Sequence, residues 1–137
     1  MCIRDSDNAY VRRATAWSLA NYDNQIVLKP LINALKNDVA AVRLWSSSSL
    51  AEIGNVSSKN AELAAEQLLI SLKIDNESGV RSNCIWSLCR LFEKLDNTFQ
   101  ECFVDECTKI ALFDKEPSVM EEAKTALDSM GMQGFYN

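Results

Sequence analysis

The feature that most constrains this chain is a fourfold internal alignment without gaps. The segments "VRRATAWSLANYD" from Val11, "VRLWSSSSLAEIG" from Val42, "VRSNCIWSLCRLF" from Val80 and "VMEEAKTALDSMG" from Val119 share one pattern. Successive valines lie 31, 38 and 39 residues apart, and each is followed eight positions later by leucine: Leu19, Leu50, Leu88 and Leu127. Three residues further on stand Tyr22, Ile53, Leu91 and Met130. On a helix these offsets fall within about 80°, so each segment reads as an amphipathic helix with one buried stripe. A repeated unit of this size cannot bury its stripe alone and is expected to stack on its neighbours.

A second apolar pattern precedes three of these helices: "QIVLKPLINALK" at 25–36, "AELAAEQLLISLKI" at 61–74 and "FQECFVDECTKIALF" at 99–113. Apolar spacings of three and four run through Leu28, Leu31, Ile32 and Leu35, then through Ala65, Leu68, Leu69 and Leu72. Each unit is therefore read as a helical hairpin. The joining turns "NDVAA", "DNESG" and "DKEPS" are polar, and Asp75 and Asp114 each stand five residues before the repeat valine. There they are expected to cap the second helix or to stabilise its turn. Pro117 falls where a first helical turn tolerates proline.

The V-R pair of the first three units, the Asp75-to-Arg81 step, the Ala/Leu/Ile pattern that follows and Pro30 inside a first helix together resemble the HEAT-repeat family. The resemblance runs from about residue 6 to residue 131 and implies an all-α fold, a right-handed α-solenoid of about three and a half hairpins. The expected units are 7–23 (a second helix only), 24–54, 58–95 and 98–131, in a single domain over 7–137 with a tail at 132–137. Met120, Asn37 and Ser6 depart from the pattern, replacing Arg, Asp and Asp in their units.

The beginning of the chain is read as two things. Met1 to Asp5 can be written ATG TGT ATA AGA GAC, with AG leading into Ser6, which matches the end of a transposon adapter; residues 1–6 are expected to be adapter-derived in a metagenomic fragment. Asp7 to Tyr22 is then a second helix separated from its partner, so the remainder of the chain upstream of residue 7 is its expected neighbour. In that reading the stripe of Val11, Thr15, Leu19 and Tyr22 is only half covered.

Arg12, Arg43 and Arg81 share one repeat position. They could form a basic stripe for an acidic ligand, or a structural ladder in which each guanidinium reaches a turn aspartate of an adjacent unit, Asp75 and Asp114 among them. The ladder is expected, because the guanidinium fork suits a carboxylate. Trp17 and Trp86 also share a position, about 200° from the centre of the buried stripe. They either pack on an adjacent helix or project outward, where large aromatics serve as interface anchors.

The stretch "ATAWSLANY" resembles the last helix of armadillo repeats of the importin-alpha type, whose W-x-x-x-N arrays bind extended peptides. That likeness implies that Trp17 stacks on an aliphatic stem and Asn21 bonds the peptide backbone. Ser48 and Glu52, then Trp86 and Arg90, hold the same two positions in the next units. The expected function is a non-enzymatic scaffold that binds a protein or peptide segment along a concave face through Trp17, Asn21, Ser48, Glu52, Trp86 and Arg90. At the repeat level the chain also resembles the HEAT-like subunits of bilin lyases, which implies as the alternative a subunit or fragment of an enzyme acting on a cofactor-carrying client.

The composition sets further expectations. The chain has no histidine, which removes Ser-His and Cys-His nucleophile pairs. Its 4 glycines form no phosphate cradle. No catalytic residue, cofactor or metal is expected. Cys84/Cys89 and Cys102/Cys107 are five apart, about 140° around a helix and unlike the short spacings of structural zinc ligands. Cys84 aligns with Thr15, Ser46 and Ala123, a slot for small side chains, and the run Ser46–Ser49 is expected to serve tight helix packing. A formal charge of −5 without basic runs argues against nucleic acid. No apolar window is long enough to span a bilayer, and thiols inside helical patterns point to a reducing, cytoplasmic setting.

Overall fold

A computed structural model describes residues 26–131. These form six α-helices: α1 Leu28–Asn37, α2 Ala40–Gly54, α3 Ser58–Ile74, α4 Ser78–Leu91, α5 Asn97–Phe113 and α6 Pro117–Ser129. A 3₁₀ turn, Phe92–Lys94, follows α4, and no strand occurs among the described residues. The helices pair as hairpins α1–α2, α3–α4 and α5–α6. Along the stack α2, α4 and α6 lie side by side in one layer and α1, α3 and α5 in the other, the layer of second helices being the more closely packed.

The stripe read from the repeat is the core. Val42, Val80 and Val119 are buried, as are Leu50, Leu88 and Leu127 and, three residues on, Ile53 and Leu91; Met130 is only partly covered. Opposite them Leu28, Leu31 and Leu35 of α1, Leu68 and Leu72 of α3, and Phe103 and Ile110 of α5 fill the space between layers. One continuous apolar cluster runs through all six helices, the stacked-repeat arrangement in which each hairpin completes its neighbour's core.

The two kinds of helix begin differently. Ser57 caps α3 by accepting the Asn60 N–H at 3.1 Å, and Asp96 caps α5 by accepting the Phe99 N–H at 3.0 Å. These caps start both helices two or three residues before the apolar pattern does. The second helices α2, α4 and α6 have no side-chain cap. Asp75 and Asp114 are instead C-caps of α3 and α5. Each uses Oδ1 to accept an N–H two residues on, Glu77 at 3.0 Å and Glu116 at 2.9 Å, so they stabilise turns rather than cap α4 and α6.

Two prolines and two glycines fit this scheme. Pro30 and Pro117 lie in first turns, where the missing N–H has no intrahelical acceptor to lose. Gly54 ends α2 where a Cβ would stand 3.1 Å from Ala64 Cβ and 3.3 Å from Leu91, so its lack of a side chain lets three helices converge. Gly131 ends α6 at φ 76°, the left-handed conformation that glycine adopts without strain.

Candidate functional site

Two edges of the stack carry polar side chains at repeat positions. At the turns between helices, Arg43 and Arg81 each tie two successive hairpins together. Arg43 donates from Nη1 to its own turn at the Asp38 carbonyl (2.9 Å), and from Nε and Nη2 to both carboxylate oxygens of Asp75 in the next unit (2.9 and 3.1 Å). Arg81 repeats the arrangement one unit on, with Nη1 to the Asp75 carbonyl and Nη2 to Asp114 Oδ1, both at 3.0 Å. The hydrogen bonds and charge of Asp75 raise the Arg43 pKa further above its ordinary value. Arg81 is the more buried of the two but makes a single contact to its carboxylate, and its Nε has no partner. Arg12, at the same position in the first segment, lies outside the described residues.

The other edge is the outward face of the second helices. Measured from each repeat valine, offsets of three, six and ten place three residues of α2 (Trp45, Ser48, Glu52) beside three of α4 (Asn83, Trp86, Arg90) and three of α6 (Glu122, Thr125, Ser129). These offsets fall within about 60° of one another, well away from the buried stripe. Trp86 is 42% exposed and Trp45 36%. Arg90 stacks over the Trp86 ring with its guanidinium carbon 5.0 Å from the centroid, and its Nη2 reaches Glu52 Oε1 at 3.0 Å. A cation held against an indole face in this way keeps the ring oriented.

Contacts beneath this face fix the register of α2 against α4. Ser87 donates its hydroxyl to the Ser47 carbonyl, and Asn83 Nδ2 donates to the Leu44 carbonyl at 2.9 Å. Ser46 and Ser47 are fully buried and Ser49 nearly so, which gives the serine run its packing role: small side chains let α2 and α4 approach. Ser48 is half-buried and donates back to the Trp45 carbonyl at 3.1 Å. Such back-bonding is how a serine satisfies itself inside a helix.

Of the six residues expected to bind a partner, Ser48, Glu52, Trp86 and Arg90 therefore share one face, while Trp17 and Asn21 lie outside the described residues, as does the stripe of Val11, Thr15, Leu19 and Tyr22. Sequence reasoning passed over Trp45, Leu44 and Asn83 on the same face. Their signal was available: Trp45 and Asn83 share an offset only three from the repeat valine, and it lies on the outward side. A further groove of about 520 Å³ beside the Arg43–Asp75 rung, lined by Leu35, Gln67, Ile70 and Ile74, was also not anticipated.

The cysteines follow burial. Cys84 and Cys107 are inside the core, where desolvation of the thiolate pushes their pKa values well up. Cys89 is partly covered, and burial pushes it to about 11 against a hydrogen bond from Ser129 that lowers it. Cys102 is exposed. Among the described residues no group of three or more His, Cys, Asp or Glu is placed to hold a metal ion. No described helix is long and apolar enough to cross a membrane.

This geometry has a counterpart in sequence families: the profile of HEAT repeats matches residues 2–89, more than half of the chain. The chain belongs to the HEAT-repeat family. HEAT repeats generally mediate protein–protein interaction and are typically scaffolds without catalytic activity of their own. No curated protein matches the chain. The hairpins α1–α2 and α3–α4, with the Arg43 rung and the exposed Trp45 and Trp86, fall inside the matched residues or at their border, while α5 and α6 lie beyond them.

Proposed function

We propose that this HEAT-repeat chain is a non-enzymatic scaffold whose second-helix face binds an extended segment of another protein. The observation that carries this reading is the exposure of Trp86, a large aromatic at a repeat position, 42% open and braced by Arg90 and Glu52. Burying an indole of this kind is among the most favourable contacts an interface can gain. The closer packing of α2, α4 and α6 than of α1, α3 and α5 supports a bend toward the second helices, so we take their face as the concave one. In this reading Ser48, Glu52, Trp86 and Arg90 line it, and Trp17 and Asn21, outside the described residues, hold the same two repeat offsets in the first segment.

The test uses a photoreactive residue in place of Ser48, with Glu66 on the exposed side of α3 as the control position. A protein adduct is expected from the Ser48 position and not from Glu66. It is expected to disappear in Trp17→Ala and Trp86→Ala variants whose circular dichroism is unchanged. Equal adducts from both positions, or unfolding by either tryptophan substitution, would mean that the face is not the binding surface.

A further inference from the structure

The layer of first helices, away from the tryptophan face, is the less closely packed, and between α1 and α3 it leaves the groove of about 520 Å³ beside the Arg43–Asp75 rung. That volume is within the range of about 300–1,000 Å³ in which proteins hold ligands. Leu35 lines the groove from the core, and Ile70 and Ile74, 44% and 74% exposed, line it from α3. From Gln67 to Ile74 this wall runs about 10 Å, the span of about three extended residues.

The same wall holds two polar side chains in a buried setting. Gln67 and Ser71 are 8% and 3% exposed, and Gln67 Nε2 donates to Ser71 Oγ at 3.1 Å. Ser47, Ser48 and Thr108 donate their hydroxyls back to carbonyls of their own helices. Ser71 does not, and no described residue donates to Gln67 Oε1. One hydroxyl proton and one amide oxygen are therefore left without partners among the described residues, on side chains that both line the groove. The repeat does not require them. Counted back from the aspartates that end α1, α3 and α5, the position of Ser71 is Ala34 in α1 and Ile110 in α5. A buried hydroxyl where neighbouring units place an apolar residue lowers stability unless a partner completes its hydrogen bonds.

An unfilled donor beside an unfilled acceptor matches the C=O and N–H of one extended residue, which point to the same side of the chain. The charges that line the groove add a third feature. Asp75 is held by Arg43 and Asp38 is engaged at its own turn, which leaves Lys36 as the lining charge without a partner. We infer that the groove between α1 and α3 is a second peptide site, distinct from the tryptophan face and independent of the role proposed for it. It takes about three residues of an extended segment of a partner protein. An aliphatic side chain covers Ile70 and Ile74, the backbone of one residue completes the hydrogen bonds of Gln67 and Ser71, and an acidic side chain meets Lys36. A fatty acyl chain fills the same apolar space but leaves both buried polar groups unpaired, so a peptide is the better fit.

The isotope-labelled full chain is titrated by NMR with a capped peptide of sequence serine-leucine-glutamate-serine. The backbone amides of Ile70 and Ile74 and the side-chain amide of Gln67 are expected to shift together. Changing the leucine to alanine is expected to weaken binding about tenfold, as is methylating one of the two backbone nitrogens of leucine and glutamate, whichever faces Gln67 Oε1. Changing the glutamate to lysine weakens it about threefold, and only at low salt. Gln67→Leu combined with Ser71→Ala is expected to abolish the shifts at Ile70 and Ile74 while stability in urea stays equal or rises, because both polar partners are removed together. Four results overturn the inference: shifts at Trp45 and Trp86 alone, no shift at about 10 mM peptide, affinities indifferent to both methylations, or a double variant that still binds. A double variant clearly less stable than the parent overturns it too, by making the pair a structural one, and so does decanoate binding in the groove more tightly than the peptide.

Discussion

Arg81–Asp114 and Arg90–Glu52 are ion pairs of the same chemistry, both 3.0 Å long and both joining one hairpin to the next. Their surroundings differ. The side chains of the first pair are 8% and 12% exposed, those of the second 44% and 57%. In the first, water is largely excluded, the guanidinium also holds the Asp75 carbonyl, and removing it strands a covered carboxylate. In the second, solvent screens both charges and either can exchange its partner at little cost. The same residue types, spaced by the same repeat, thus serve cohesion at the turn edge and stay open to solvent on the second-helix face, where we propose recognition.

The contrast is broken most directly by substitution of the ladder. Arg81→Ala is expected to lower the unfolding free energy by about 3 kcal/mol in urea denaturation, with Arg43→Ala of similar size. A double-mutant cycle of Arg81 with Asp114 should show clear coupling. An effect below that of a surface pair would mean that the ladder does not hold the stack.

A smaller effect comes from pH. Burial raises Cys89 from 9.0 to about 11 in the folded state, so the fold favours the neutral thiol. The stability this represents is complete below pH 9.0 and is lost as pH rises through about 11. At about pH 10 the loss from this group is about 1 kcal/mol, and the decline should be shallower in Cys89→Ala than in the parent chain. Equal slopes in the two proteins would remove Cys89 as the source.

The smallest change is expected at the exposed pair. Arg90→Ala should cost no more than about 0.5 kcal/mol in stability, yet it frees one face of Trp86 and should alter that residue's fluorescence and its quenching by iodide. A loss as large as that for Arg81 would erase the distinction between the two edges.

Much of this was legible in the chain. The valine and leucine positions predicted the core because burial in a helix follows its angular period, and Val42, Val80, Val119, Leu50, Leu88 and Leu127 are all buried. The position of the small residues Ser46, Cys84 and Ala123 likewise marked slots that are fully buried. The apolar patterns at 61–74 and 99–113 begin inside α3 and α5, because Ser57 and Asp96 start those helices as caps rather than as part of a stripe. Asp75 and Asp114 were placed at the right turns, and the geometry resolves the open choice of role: each bonds an N–H two residues on. Glu52 and Arg90 share one repeat offset with opposite charges, a signal for a cross-unit pair, but nothing in the periodicity says that Arg90 also covers Trp86.

What the sequence determined by itself is the helical repeat, its stripe and the residues that recur at each offset, because these depend on angle around a single helix. Which of the recurring polar residues are enclosed and which stay open was decided only by tertiary structure. That outcome depends on how closely neighbouring helices approach. Arg43 and Arg81 are covered where successive turns meet, and Trp86 and Arg90 remain open where no third layer lies over α2, α4 and α6 among the described residues.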